Sequence, residues 1–169
     1  MNHSEHGVIL VGHGGIPKDY PSDLVSKLKR LEAQRRAAGQ PMSPEELELD
    51  TKIRKWPRTP ESDPYQAGLE ALASQMKPML NGSHFSVAYN EFCGPTLSEA
   101  VEAIIAKGAK HITIVSTMFT PGGSHSEFEI PEEMEELRKT HPGVKLNYAW
   151  PFDLNKVARM LTDHISKFA

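Results

Sequence analysis

GVILVGHGG, residues 7–15, is an unbroken apolar run that stops at a histidine set between glycines. A run this short, apolar on both alternating sets of positions and closed by glycine, fits a strand buried on both faces, as in a parallel sheet. Three more segments read the same way: HFSVAYNEF (84–92), HITIVST (111–117) and VKLNYAW (144–150). Helical patterns separate them. Asp63 caps a helix that has Pro64 in its first position and carries Leu69, Leu72, Met76 and Leu80 on one stripe. PTLSEAVEAIIAKG (95–108) repeats Leu97, Val101, Ile104 and Ile105 at helical spacing and closes at Gly108. PEEMEELRKTHPG begins a helix at Pro131, with Glu129 placed where a negative charge meets the helix dipole. Residues 153–168 carry Leu154, Val157, Leu161 and Ile165 behind an Asp153 cap. Strand and helix alternate, so the expected class is α/β with a mainly parallel sheet.

Residues 17–62 break that alternation. They hold two charged helical patterns: PSDLVSKLKRLEAQRRAAG, ending at Gly39, and SPEELELDTKIRKW, with Ser43 as cap, Pro44 first and Glu46 closing a capping box. The segment carries 10 Lys/Arg against 8 Asp/Glu, so it is basic relative to the rest of an acidic chain. Its expected form is a helical insertion after the first strand: a solvated hairpin, a lid or a subunit contact.

With 169 residues, 38% of them hydrophobic and 24% charged, the chain is long enough for one domain, 1–169, with its own core. The net charge of −3 gives no reason to expect nucleic acid. A single cysteine, Cys93, excludes an intrachain disulfide and a CxxC metal site. No apolar stretch spans a bilayer, and MNHSEHG lacks the basic and apolar regions of a signal peptide, so the expected location is cytoplasmic, without membrane partners. His3 and His6 in that stretch are expected to fray.

In a doubly wound sheet of flavodoxin type, with strand order 2-1-3-4, strands 1 and 3 are neighbours. The crevice at their carboxyl ends is the switch point where ligands bind. His13 leaves strand 1, His125 lies in the loop GGSHS after strand 3, and Glu91 ends strand 2. Two imidazoles and a carboxylate suit a divalent first-row metal such as Co²⁺, Ni²⁺ or Fe²⁺. Gly14, Gly15, Gly122 and Gly123 remove side-chain bulk where a large flat ligand would approach the backbone.

VILVGHGG, NEFCGPTLSEAVEAIIAKGAKHITIVSTMF and GGSHSEFEIP, in this order, resemble the successive signatures of the sirohydrochlorin chelatase family. The resemblance implies a class II chelatase fold and insertion of Co, Ni or Fe, as substrate, into sirohydrochlorin or a related tetrapyrrole, with no organic cofactor. It places His13, Glu91 and His125 at the family's metal-site positions and implies a homodimer; imidazole chemistry there suits His13 and His125 to bind the ion and take pyrrole protons, with Glu91 as third ligand or proton relay. Gly15 stands where the family has serine, Glu129 where it has aspartate, and Thr120–Pro121 replace an apolar piece. The 17–62 insertion is no part of the compact pattern. A carboxylate-rich tetrapyrrole needs cationic partners, for which Lys52, Arg54, Lys55 and Arg58 are the candidates. The alternative is a carrier that binds metal or tetrapyrrole on the same fold without catalysis. An ester hydrolase would need a G-x-S-x-G elbow, and none occurs.

Overall fold

β1 (His6–Gly12) forms the middle of the sheet because its side chains find apolar partners on both faces. Ile9 and Val11 point to one layer and Leu10 to the other, all three buried. β2 (His84–Tyr89) and β3 (His111–Ser116) flank it, and β4 (Lys145–Tyr148) lies beyond β3. Every pairing is parallel and the order is β2-β1-β3-β4, as expected. The computed structural model describes residues 3–168; Met1, Asn2, Ala169 and the His3 side chain lie outside the described residues, and with them the expected fraying of His3. His6 does not fray: it opens β1, its ring stacked on that of His111 with centroids 5.2 Å apart. No helix among the described residues is long and apolar enough to cross a membrane.

One face of the sheet is covered by α4 (Leu97–Ile105) and α5 (Ile130–Thr140). Leu97, Val101, Ile104, Ile130, Met134 and Leu137 close over Ile9, Val11, Ile112, Ile114 and Leu146. α4 starts where it does because Thr96 and Glu99 form a reciprocal capping box, Glu99 accepting from the Thr96 N–H at 2.8 Å. On the other face α3 (Pro64–Met76) packs Leu69 and Ala73 on Leu10 and Tyr89. Its Asp63 cap accepts from the Gln66 N–H at 2.9 Å.

The insertion forms α1 (Ser22–Ala38) and α2 (Pro44–Arg54). The solvated hairpin is corrected: Tyr20, Leu28, Leu49 and Ile53 make a third buried cluster, which Trp56 and Phe92 join. Ser43 caps α2 as expected, but Glu46 does not close a capping box. Its carboxylate is buried and accepts from Arg35 Nε at 2.8 Å, pairing α1 with α2. α6 (Leu154–Ile165) has no buried residue, and Leu154, Leu161 and Ile165 of its apolar stripe are exposed.

Candidate metal centre

β2 ends at Tyr89 rather than Phe92, because the chain leaves the sheet to follow the exit of β1. The Asn90 N–H donates to the Gly12 carbonyl at 2.9 Å, and the Glu91 N–H to the His13 carbonyl at 2.8 Å. The loop carrying Glu91 is thereby tied to the loop carrying His13. Gly14 completes the crossing. It has φ +98°, and a Cβ there would lie 1.8 Å from the Glu91 carbonyl oxygen. The space expected at Gly14 for a flat ligand is taken by the protein's own backbone. Gly15 is close to Asp63 and Tyr65, whereas Gly122 faces open space and Gly123 meets only the Ser126 hydroxyl.

His125 does not sit in an open loop ahead of α5. Residues His125–Glu129 wind as one π-helical turn that runs into α5 at Ile130, one residue before the expected start. That winding brings Glu129 back beneath His125, so its carboxylate serves the imidazole rather than the α5 dipole. Tyr148, beneath the turn, donates its hydroxyl to the Ser126 carbonyl at 3.0 Å, and burial pushes its pKa up to about 12.

His13, Glu91 and His125 converge, each offering one donor atom, all within 4.8 Å of one another. The rings stand edge to face, with centroids 4.8 Å apart and planes at 81°. The Glu91 carboxylate lies between them, 3.8 Å from His13 Nε2 and 3.7 Å from His125 Nε2. The partners of the other ring nitrogens set the tautomers. His13 Nδ1 is 2.9 Å from the Gly14 carbonyl, which can only accept, so this nitrogen carries the proton. His125 Nδ1 lies 3.0 Å from Glu129 Oε2, which asks for a proton there, and 2.7 Å from the Asn90 amide nitrogen, which donates, so its two neighbours call for opposite tautomers. The Nε2 lone pair of His13 is then free to bind an ion or take up a proton, and that of His125 is free in the tautomer that Glu129 favours.

Glu129 holds its charge. Burial raises its pKa, but hydrogen bonds from His125 and Asn90 and the charge of Arg36 overcome this and hold it below the ordinary value. The Asn90 amide nitrogen lies 2.7 Å from His125 Nδ1 and 3.2 Å from Glu129 Oε2. Arg36 Nη1 reaches the other Glu129 oxygen at 3.2 Å. Sequence reasoning missed Asn90, Arg36 and Tyr65, whose hydroxyl accepts from the His13 N–H at 2.7 Å. The NEF at the end of β2 offered a signal for Asn90; Arg36, 93 residues from its partner, offered none.

The four cationic candidates do not act alike. The Arg58 side chain is 4% exposed and is bonded to Asp63 and to the carbonyls of Gly15, Ile53 and Phe92. That corrects its expected role towards substrate carboxylates, since burial leaves it no surface to offer. Arg54 is bonded to Asp50 and to the carbonyls of Tyr89, Asn90 and Cys93. Lys52 and Lys55 line a separate groove along α2 with Leu47 and Trp56.

A family model described as CbiX matches residues 61–167. Over 82 residues the chain is 29% identical to a sirohydrochlorin ferrochelatase of Priestia megaterium, covering 48% of this chain and 30% of that protein. Over 78 residues it is 28% identical to a sirohydrochlorin cobaltochelatase of Sulfurisphaera tokodaii, covering 46% and 61%. The chain thus spans less than two thirds of the length of either relative. Among solved structures, the sirohydrochlorin chelatase SirB of Bacillus subtilis subspecies spizizenii in complex with cobalt aligns with TM-score 0.53 at 20% identity, over 87% of this chain and 43% of that one. A CbiX protein of Marinobacter aquaeolei VT8 aligns with TM-score 0.52 at 17% identity, over 97% and 99%. These two likenesses are of fold.

Proposed function

We propose that this chain, which belongs to the CbiX family, inserts a divalent metal ion into sirohydrochlorin or a related tetrapyrrole. The observation that carries the reading is the convergence of His13, Glu91 and His125 at the carboxyl ends of β1, β2 and β3. The names of the curated relatives and the cobalt complex of a structural relative support it.

Metallation exchanges two pyrrole N–H protons for one divalent ion. The two Nε2 atoms supply lone pairs, and the Glu91 carboxylate stands between them. His125, 20% exposed and backed by Glu129, is the better enclosed ligand for the incoming ion; His13, 43% exposed, stands where a proton passes on to water. The macrocycle approaches over Gly122 and Gly123, which add no side chain of their own. Co²⁺, Fe²⁺ and Ni²⁺ all suit an imidazole–carboxylate set.

The whole chain, on this reading, is one chelatase domain with residues 17–62 inserted after β1, since the insertion shares a buried cluster with Phe92 beside the site. It works as a homodimer, a reading supported by the uncovered apolar stripe of α6. It works in the cytoplasm, in keeping with a lone, buried and unpaired Cys93.

The test is the absorbance change of sirohydrochlorin with Co²⁺, Ni²⁺ or Fe²⁺, with and without protein. Acceleration of metallation over the free reaction is the expected result. Tetrapyrrole binding without acceleration would make the protein a carrier instead.

A further inference from the structure

The insertion touches all three segments that carry the metal-site residues, and an arginine reaches each of them. Arg58 donates to the Gly15 carbonyl at 2.9 Å, two residues beyond His13. Arg54 donates to the Cys93 carbonyl at 2.8 Å and the Asn90 carbonyl at 3.1 Å, on either side of Glu91. Arg36 pairs with Glu129, whose other oxygen meets His125 Nδ1. All three arginines precede residue 61, where the CbiX family match begins.

We propose that the 17–62 segment is a fixed frame for the metal centre, with Arg36, Arg54 and Arg58 each positioning one ligand-bearing segment. The proposal rests on the metal-site reading above. A lid would meet the site through contacts that can open. Two of these contacts cannot open readily: Arg58 is 4% and Arg54 17% exposed, so separation would strand buried guanidinium groups and backbone carbonyls. Ile53, just ahead of them in the chain, is fully buried and fixes α2 to the body. Arg36 is 48% exposed and is the one contact that can be removed without opening the core. Its effect runs through a partner. By holding one oxygen of Glu129 it leaves the other directed at Nδ1, and so favours the tautomer whose Nε2 lone pair faces Glu91.

The test uses the full chain and Co²⁺ alone, read by the visible absorption of the bound ion and its dissociation constant, with thermal melting alongside. Glu129→Gln is expected to raise the dissociation constant by about 10- to 100-fold, as loss of a ligand's hydrogen-bonding partner does. Arg36→Gln is expected to raise it about 2- to 5-fold and to shift the absorption band, with the melting midpoint unchanged. Arg54→Lys, which keeps the charge and loses the fork, is expected to raise it by a similar factor. In the double variant Arg36→Gln/Glu129→Gln, binding is expected to match Glu129→Gln alone. Wild-type affinity in either arginine variant overturns the frame, as does an undiminished Arg36→Gln effect on the Glu129→Gln background. Absence of Co²⁺ binding by the wild type, or wild-type binding by His125→Ala, overturns the metal-site reading and the frame with it, whatever the arginine variants do.

Discussion

Gly14 sits at φ +98° with the Glu91 carbonyl oxygen where its Cβ would be. Gly14→Ala must therefore push the two loops apart as well as adopt a costly backbone conformation. We expect a loss of about 2 kcal/mol or more in urea denaturation, accompanied by weaker Co²⁺ binding. His13→Ala and His125→Ala are different, because neither ring belongs to the core. Each is expected to lower the metallation rate by about 10²-fold or more with little change in melting temperature. Near-normal rates in both would remove them from the mechanism. Glu129 carries a pH signature. Its pKa is lowered on folding, so its contribution to stability is full above the ordinary carboxylate value and is lost as pH falls through the lower folded one. In the metal-free protein, Glu129→Gln should flatten the fall of melting temperature below about pH 4.5, the unshifted value, and leave neutral pH little altered. At this scale the sequence was partly readable. A histidine between glycines at a strand end stands out, as does one behind a glycine pair, but the i to i+4 contact of His125 and Glu129 depends on a π-helical turn that periodicity does not encode.

α2 illustrates what an element's sequence conceals. Its charge pattern reads as a solvated face, and its start, Ser43 with Pro44, is legible from capping chemistry alone. Yet Glu46, read as half of a capping box, is 2% exposed beside Arg35, and Ile53 is fully buried. One helix of 11 residues with three buried positions carries too weak a periodic signal to reveal which face packs. Ile53→Ala is expected to cost about 2–5 kcal/mol, measured by denaturant titration, as for a large side chain removed from a closed cluster. A cost below about 0.5 kcal/mol would mean that the insertion stands free of the body. α3, by contrast, announces itself through Asp63–Pro64, because a cap acts within one turn and so is written in neighbouring letters.

The order of strands came from a general rule about parallel sheets and chain crossovers, and that order brings the loops of His13 and His125 to one edge: β1 and β3 are neighbours although 98 residues lie between Gly12 and His111. What was not legible is the set of long-range pairs made by the insertion, since a charged residue's partner is chosen by geometry that forms only when the whole chain is folded. α6 belongs to this scale too. An amphipathic helix without a buried residue is expected to find its cover in a second copy. Light scattering should give a dimer for the wild type. Leu161→Glu with Ile165→Glu should give a monomer that retains its far-ultraviolet spectrum; a wild type that stays monomeric at high concentration would contradict this. The knot of backbone at Gly14 and Glu91 has a last consequence, for the way such a protein changes length. Two loops that cross within touching distance cannot admit or lose a residue there without dragging apart the imidazole and the carboxylate they carry. Residues 17–62 begin only beyond that crossing, after Ile16.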